Sequence, residues 1–285
     1  MKKGWLFCFL ALIIILGGTV AFSGCADTVV GTEGLAYHLL PDGSYSVSCG
    51  TTKDLDKIVI PATYQGKAVT AIEENGFADC SNLTEILISN GVTSIGNSAF
   101  RGCAGLMSIM IPNSVTDIGV DAFYECTSLQ YNEYDNAYYL GDTKTPYVVC
   151  VKAKSNSVSS CKIHRNTKVI YDSAFADCHD LTSVTVPQGV TLIGGMAFYG
   201  CRQLTSITIP NGVTRIHFGA FLGCTSLTSV TIPDGVTRID SLAFGNCTNL
   251  TTIRYRGTQS QWSKITKESE SDWDSYTIIY NYKGE

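Results

Sequence analysis

The sequence has few charged residues and few of the side chains that most often do chemistry. Of its 285 residues, 20 are Lys or Arg, 25 are Asp or Glu and 4 are His. Residues 1–24 include two basic residues and no acid, so the remainder carries 18 basic against 25 acidic groups, a formal net charge of −7. Nucleic acid attracts basic surfaces, so this balance argues against nucleic acid as a partner.

Motifs of catalysis and of metal binding are also missing. The chain has no Gly-rich phosphate loop, no Gly-x-Ser-x-Gly, no His-Glu-x-x-His and no Cys-x-x-Cys. The four histidines are His38, His164, His179 and His217, and they are scattered along the chain rather than set at ligand spacing. We therefore expect no enzyme activity, no metal and no cofactor.

The N-terminus is typical of an export signal. Lys2 and Lys3 precede an uncharged stretch, residues 4–24, that ends in small residues before Cys25. This stretch is long enough to span a bilayer, so a retained membrane helix is the alternative. The segment Ala21-Phe22-Ser23-Gly24-Cys25 resembles a bacterial lipobox. That resemblance implies a signal peptide over 1–24, lipidation of Cys25, a tether over 25–34 and an exported chain held at the membrane by lipid.

Self-similarity dominates the rest of the chain. A Phe followed three residues later by Cys recurs with Cys spacings of 23, 23, 52, 23, 23 and 23 residues. The gap of 52 is two repeats plus six residues, so one solenoid fits the spacing better than two domains. The repeated cysteines are Cys80, Cys103, Cys126, Cys178, Cys201, Cys224 and Cys247.

Between these cysteines the pattern is Leu-x-x-Ile-x-Ile-Pro-x-x-Val-Thr-x-Ile. Ile207 and Ile209 alternate with polar residues, which predicts a short strand with one buried face. Pro210 ends the strand, and Asn211-Gly212 provides turn chemistry. Stacked coils would share one continuous core, because no single repeat can bury its apolar face alone.

Both ends depart from the repeat and are predicted to be caps. Residues 35–57 contain a hairpin that turns at 41–44, residues 58–254 form the solenoid with an expanded coil at 126–154, and residues 255–285 close the other end. Within the last segment, residues 276–280 are predicted to be the final strand. Solenoids need such caps to shield the apolar faces of their terminal coils.

The motif Ala-Phe-x-x-Cys-x-x-Leu-x-x-Ile-x-Ile-Pro-x-x-Val-Thr-x-Ile-Gly resembles the BspA-type leucine-rich repeat family, over about residues 35–265. The resemblance implies a β-rich solenoid of 23-residue leucine-rich repeats stacked in a curved right-handed coil. It also implies a bacterial surface or secreted protein, since some relatives are adhesins for host matrix proteins or other cells. The family has no shared ligand, so no binding residue is carried over.

The seven repeated cysteines have two interpretations. An exported chain with twelve cysteines could be a disulfide scaffold. However, side chains at one repeat position point the same way, so their Cβ atoms would lie about 4.8 Å apart, too far for an unstrained bridge. A ladder of buried free thiols that bond weakly to the turn backbone is the favoured interpretation.

One candidate binding surface is the outward column of the strand face. Its members are Leu87, Met110, Lys162, Thr185, Thr208, Thr231 and Arg254. Ser and Thr on a sheet often reflect β-propensity alone, which is the alternative. Leu87 and Met110 interrupt the polar column and could form an apolar patch.

The expanded coil is the second candidate. It has apolar runs on either side of Gly141-Asp142-Thr143-Lys144, which predicts an extra hairpin. Its tyrosines are Tyr131, Tyr134, Tyr138, Tyr139 and Tyr147. Tyrosine is favoured in recognition surfaces, and repeat insertions often lie on the binding face. Alternatively, the hairpin only covers an irregular coil and some of these tyrosines are core.

These observations predict a non-catalytic module that binds proteins or cell-surface ligands outside the cell. The alternative is a structural envelope protein without a specific ligand. Both share the solenoid, and they differ in whether any surface recognises a partner.

Overall fold

The computed structural model describes residues 30–268 and 273–284. The predicted signal peptide, residues 1–24, and the predicted lipidation site, Cys25, lie outside the described residues. Among the described residues, no helix is long and apolar enough to cross a membrane. The chain winds as a β-solenoid, with one ladder of short parallel strands on each of two sides and a stack of tight turns on the third.

Strands before the irregular coil are β1 (Ala36–Leu39), β2 (Tyr45–Ser48), β3 (Lys57–Ile60), β4 (Thr63–Tyr64), β5 (Lys67–Ile72), β6 (Glu85–Ile88), β7 (Ser94–Ile95), β8 (Ser108–Met110) and β9 (Asp117–Ile118). The irregular coil contributes β10 (Asn132–Tyr134), β11 (Ala137–Leu140) and β12 (Val149–Ala153). The following strands are β13 (Ser160–Lys162), β14 (Val169–Ile170), β15 (Ser183–Thr185), β16 (Leu192–Ile193), β17 (Ser206–Thr208), β18 (Arg215–Ile216), β19 (Ser229–Ile232), β20 (Arg238–Ile239), β21 (Thr252–Tyr255), β22 (Thr266–Lys267) and β23 (Thr277–Ile279). One short helix, α1 (Gln259–Trp262), and one 3-10 turn (Trp273–Ser275) complete the described elements.

The repeat length sets the register of both ladders. In the first ladder Ile207 of β17 pairs with Val230 of β19, and in the second Ile216 of β18 pairs with Ile239 of β20. Partners are 23 residues apart in each case. Because side chains alternate along a strand, the apolar residue of each pair points inward on every coil.

The Ala-Phe-x-x-Cys segments form the stack of turns. Backbone bonds join successive turns, as from the Phe198 N–H to the Ala220 carbonyl at 2.8 Å. The Phe rings of successive coils stack nearly parallel, with centroids 5.2 Å apart for Phe175 and Phe198 and 5.5 Å apart for Phe198 and Phe221. Each turn therefore adds one ring to a continuous aromatic column inside each half of the chain.

The apolar interior is divided into two clusters rather than forming the single continuous core predicted from the repeat. One cluster contains the coils before the irregular one, and the other contains the coils after it. The division follows the alternation in β14 and β16. Ile170 and Ile193 point into the second cluster, whereas Val169 and Leu192 point out of it and pack against the first.

Direct contacts join the two halves at this junction. The rings of Phe123 and Tyr171 lie 5.6 Å apart, and the Tyr171 hydroxyl accepts a bond from the Phe123 N–H at 3.3 Å. The Thr191 hydroxyl donates to the Thr116 carbonyl at 3.4 Å. The outer side of the second ladder in the later half therefore packs against the last coil of the earlier half.

The ends of the solenoid are closed by different devices. β1 and β2 form an antiparallel hairpin, closed by a bond from the Leu40 N–H to the Ser44 carbonyl at 2.8 Å, and β2 pairs with β5. At the other end β23 pairs with β21 and β22 with β20. Trp262 and Trp273 pack edge to face, 5.8 Å apart, over the last coil.

Candidate binding surface

The irregular coil folds as a three-stranded antiparallel meander, and this explains where its tyrosines lie. β10 pairs with β11, and β11 pairs with β12 across a bulge at Tyr138 and Tyr139. β12 then pairs in parallel with β14 and rejoins the solenoid. The extra strands therefore extend the second ladder, on the side where the two halves meet.

Three of the five predicted tyrosines face inward. Tyr139 is fully buried, so its prediction as a contact residue is wrong: its ring belongs to the second core cluster. Burial raises the pKa of Tyr139, and its hydroxyl accepts from the His164 N–H at 3.4 Å. Tyr134 and Tyr147 are half-buried and pack on Tyr139 and on the His164 ring. This inner group closes the open end of the second core.

The other two tyrosines, Tyr131 just before β10 and Tyr138 in β11, are also half-buried and form a pair that we name the outer Tyr pair. Tyr131 packs in part against the first core cluster, and burial raises its pKa. The rings of Tyr131 and Tyr138 lie 5.9 Å apart at an angle of 46°. The Lys152 ammonium lies 4.8 Å from the Tyr131 centroid and 5.7 Å from that of Tyr138. Lys154 lies 6.0 Å from Tyr138 and forms an ion pair with Glu133 at 2.7 Å. A rigid aromatic surface with a cation beside it suits contact with a protein surface or another polar ligand.

A groove of 710 Å³ runs beside the outer Tyr pair, between β8 and the meander. One wall is Met107 to Met110, the other is Gln130 to Asn132, and the segment 140–146 closes one side. Met107 is exposed by 46% and is the most exposed of the apolar residues that line the groove. Asp142 holds the closing segment in shape by accepting bonds from the backbone N–H groups of Lys144 and Thr145.

The strand-face column is less uniform than the repeat predicts. Thr185, Thr208 and Lys162 are exposed. Leu87 is half-buried, and Met110 is buried, with 7% of its surface exposed. The predicted apolar patch of Leu87 and Met110 is therefore wrong, because Met110 lines the groove but is almost fully buried.

Thr231 and Arg254 also depart from the predicted column. Thr231 is 5% exposed and cannot act as a contact residue. Arg254 is half-buried, donates to the Ser229 hydroxyl at 3.0 Å and lies 5.5 Å from the Tyr282 ring. The C-terminal cap engages Arg254, and we attribute the burial of this end of the column to that contact.

The repeated thiols are buried, and most of their hydrogen bonds follow one rule. Five of the seven donate to the carbonyl of the Phe in the preceding turn, at 3.0–3.1 Å, and these are Cys103, Cys126, Cys201, Cys224 and Cys247. Cys178, which follows the irregular coil, donates instead to the Ser155 carbonyl at 3.8 Å. Burial raises the pKa of Cys126 and Cys247 to about 12 and that of Cys178 to about 11. A nucleophilic cysteine needs a lowered pKa and a neighbouring base, so these thiols are structural. Within residues 30–268 and 273–284 the cysteines are free, and no cluster of three or more potential ligands could hold a metal ion.

Sequence analysis missed the groove, Met107 and Lys152. One signal for Met107 was available: other coils have Thr at that position, as in Thr84, Thr182, Thr205 and Thr228. Tyr138 lies opposite Lys152, next to a register shift at Val151 of β12 that no residue pattern marks.

Comparison with known proteins gives the family. The sequence matches six copies of the BspA type leucine-rich repeat region over residues 47–142 and 152–268. No match was found among the curated proteins. Among solved structures, a T. pallidum leucine-rich repeat protein is 25% identical, with a TM-score of 0.41 over 76% of this chain and 88% of that one. A leucine-rich cell surface protein from Faecalibacterium prausnitzii is 22% identical, with a TM-score of 0.41 over 87% of this chain and 100% of that one.

The pneumococcal vaccine antigen PcpA is also similar, at 14% identity and a TM-score of 0.41 over 88% of this chain and 93% of that one. The two gaps in the family match, before residue 47 and at 143–151, contain the N-terminal hairpin and part of the irregular coil. The 23-residue period, the two parallel ladders, the Phe and Cys stacks and the six matched copies together show that the chain belongs to the BspA-type leucine-rich repeat family.

Proposed function

We propose that this protein is a non-catalytic binding module displayed outside the cell and that its contact surface is centred on the irregular coil. The observation that carries the proposal is the outer Tyr pair with Lys152 beside a groove, in a protein otherwise built of regular repeats. The family supports an interaction role, because repeat solenoids expose long surfaces to partners.

A protein or another cell-surface ligand is the proposed partner. Aromatic rings and a cation concentrate binding energy in small areas of protein interfaces. Among the strand-face residues that remain exposed, Thr185 and Thr208 offer hydroxyls but no apolar anchor. They are proposed to contribute to the rim of an interface rather than to its centre.

The test is adhesion of a Tyr131→Ser/Tyr138→Ser variant to immobilised extracellular matrix proteins and to intact neighbouring cells. Tyr124→Ser is the matched control, because Tyr124 is exposed by 51% and also lies beside a cation, with Arg101 at 5.5 Å from its ring. We expect at least a tenfold loss of binding in the double variant and no change in the control. Equal loss in both variants contradicts the proposed site. Failure of the unaltered protein to bind any surface favours a structural envelope role.

Export and lipidation at Cys25 are the second part of the proposal. They rest on the charge-free stretch 4–24 and on the small residues before Cys25. We expect Cys25→Ser to move the protein from the membrane fraction to the medium, and mass spectrometry of the mature N-terminus to find a diacylglycerol-modified Cys25. A mature chain that keeps residues 1–24 would instead indicate a retained membrane helix.

A further inference from the structure

Where the solenoid breaks, two strand edges of the first ladder face the irregular coil. One belongs to β8, the last regular strand of the earlier half, and the other to β13, the first of the later half. The β13 edge is closed by side chains of the β10–β11 turn. The Asn136 amide donates to the Ser160 carbonyl at 2.8 Å, and the Lys162 N–H donates to the Asp135 carboxylate. Such closure is how native sheets protect an edge.

The β8 edge has no such closure. The Ser108 N–H donates to the Thr84 carbonyl at 3.1 Å, which shows that Ser108 and Met110 direct their backbone groups toward β6. Residues alternate in a parallel ladder, so the backbone groups of Ile109 and the N–H of Ile111 point away from β6. In a regular coil the next strand forms hydrogen bonds with these groups, as when the Thr231 carbonyl accepts from the Ile209 N–H at 2.9 Å.

The irregular coil begins to pair with the outer edge of β8 and then turns away from it. The Gln130 N–H donates to the Met107 carbonyl at 3.0 Å, after which β10 turns away to pair with β11. In the described part of the chain, no residue pairs with the outer edge of β8. The N–H and carbonyl of Ile109, which lines the groove, therefore point to the place that a further strand of the ladder would otherwise occupy.

We propose that the outer edge of β8 takes up an extended peptide segment of a protein partner as an added parallel strand. The outward groups of Ile109 and Ile111 can pair with the backbone of an added strand, and strand addition to an open edge is a known mode of peptide recognition. The groove has room beside Ile109, and the exposed Met107 and the half-buried Pro146 line it for apolar side chains. The Lys144 ammonium, which forms no ion pair within residues 30–268, favours a segment with an acidic residue.

This inference rests on the proposed function and deepens it, since it names the class of ligand at the same surface. The outer Tyr pair and the β8 edge act on different parts of that ligand: the rings contact side chains, and the edge pairs with main chain. The two contributions are therefore separable by experiment.

The probe is a synthetic peptide of this chain's own strand, residues 227–234, which contains β19 and ends in Asp234. In the solenoid, Ser229 and Thr231 direct their backbone toward the preceding strand, whereas Val230 and Ile232 face the following one. N-methylation at Ser229 and Thr231 therefore blocks the bonds to β8. Methylation at Val230 and Ile232 leaves those bonds intact and serves as the matched control.

Binding of the three peptides to the mature full-length chain is measured by NMR titration at up to millimolar peptide, together with amide hydrogen exchange. We expect the unmodified and control peptides to bind within threefold of each other and the Ser229/Thr231-methylated peptide to bind at least tenfold more weakly. Exchange of the Ile109 and Ile111 amides should slow at least tenfold at saturation. Equal binding of all three peptides, no saturable binding, or unchanged exchange at Ile109 overturns the proposal.

The outcome is distinguishable from failure of the proposed function, because this probe does not depend on the natural ligand. Loss of adhesion in the Tyr131→Ser/Tyr138→Ser variant without strand uptake leaves the binding module standing and removes the β8 edge from it. Strand uptake without any adhesion supports the edge and contradicts the adhesive role.

Discussion

At the scale of single residues, the repeated cysteines stabilise the solenoid by contacts between neighbouring coils. Five of the seven repeated thiols donate to a Phe carbonyl in the preceding turn, as Cys247 does to Phe221 at 3.1 Å. That carbonyl also accepts the N–H of the Cys in its own turn, as Phe221 does from Cys224 at 3.2 Å. The protonated thiol is therefore the form that the fold requires, and its ionisation opposes folding.

This requirement predicts loss of stability at alkaline pH. The pKa of Cys247 is raised to about 12 by burial, from 9.0 in an unfolded chain. The unfolded state thus loses its proton first, and the stability contributed below pH 9 declines as pH rises toward 12. Between pH 9 and 11, we expect the free energy of unfolding in urea to fall less steeply with pH in Cys247→Ser than in the unaltered protein. The two slopes should differ by roughly 1.4 kcal/mol per pH unit.

Cys49→Ser is the control for that experiment. Cys49 is half-exposed at the end of the ladder, so its removal should change the slope less. Identical slopes in Cys247→Ser and the unaltered protein would show that the buried thiols do not resist ionisation.

At the scale of the element, the turn before each Cys depends on one left-handed residue. Its φ is +72° at Gly102, +66° at Gly200 and +77° at Gly223, but the same position holds Glu125 with φ +61°. A side chain is strained in this region, whereas Gly adopts it freely. Asp79, Asp177 and Asn246 also hold this position, at φ +57°, +57° and +54°, and Asp and Asn tolerate it better than Glu does. The backbone of the Glu125 turn is therefore the most strained of these turns.

We expect Glu125→Gly to raise the free energy of unfolding by about 1 kcal/mol. The reverse change, Gly223→Ala, should lower it by a similar amount, because a Cβ there meets only ordinary contacts at 3.7 Å and the cost is confined to the backbone. Thermal or urea unfolding measures both. An unstable Glu125→Gly variant would mean that the Glu125 side chain stabilises the turn.

The elements of the regular coils could be predicted from sequence, whereas the meander could be predicted only in part. The alternation around Ile207 and Ile209 is specific to a strand with one buried face, and the structure has that strand. Tyr138 and Tyr139 are adjacent, so a strand had to send them to opposite faces. The sequence does not show which face of the strand points into the core. It therefore does not show which of the two tyrosines is a core residue and which is a contact residue.

At the scale of the whole molecule, the junction joins two stacks with different cores. Val169 and Leu192 occupy a position that is polar in other coils, as at Ser94, Asp117 and Arg215. Apolar residues replace polar ones at this position in the sequence, which indicates that a second side of these coils is buried. The sequence could not predict which coil covers that side, because the repeat describes only contacts between adjacent coils.

Charge at the junction gives a prediction for the pH dependence of stability. Burial, with smaller contributions from Asp121 and Asp117 of the earlier half, raises the pKa of Asp172 to about 6. Since the folded pKa exceeds the unfolded value of 3.8, the contribution of Asp172 is complete below pH 3.8 and is lost as pH rises through 6. The ionised form therefore destabilises the junction at pH 7.

We expect Asp172→Asn to raise the free energy of unfolding at pH 7 by about 1–2 kcal/mol and by less at pH 5. The amide oxygen can still accept the Gly195 N–H, which Asp172 accepts at 2.7 Å. Asp234→Asn, at an exposed turn, is the control and should change stability equally at both pH values. A gain that is the same at pH 5 and pH 7 would contradict a raised pKa at Asp172.

The constant register of the ladders has a consequence for how such a gene can change. Because partners on each side are 23 residues apart, an in-frame duplication or deletion of 23 codons within residues 175–250 leaves every remaining strand pair and every thiol-to-carbonyl bond with an equivalent partner. The same event across the junction would remove Val169 or Tyr171 and separate the halves. The number of 23-residue repeats can therefore change on either side of the irregular coil without loss of strand pairing, whereas the irregular coil must be kept whole.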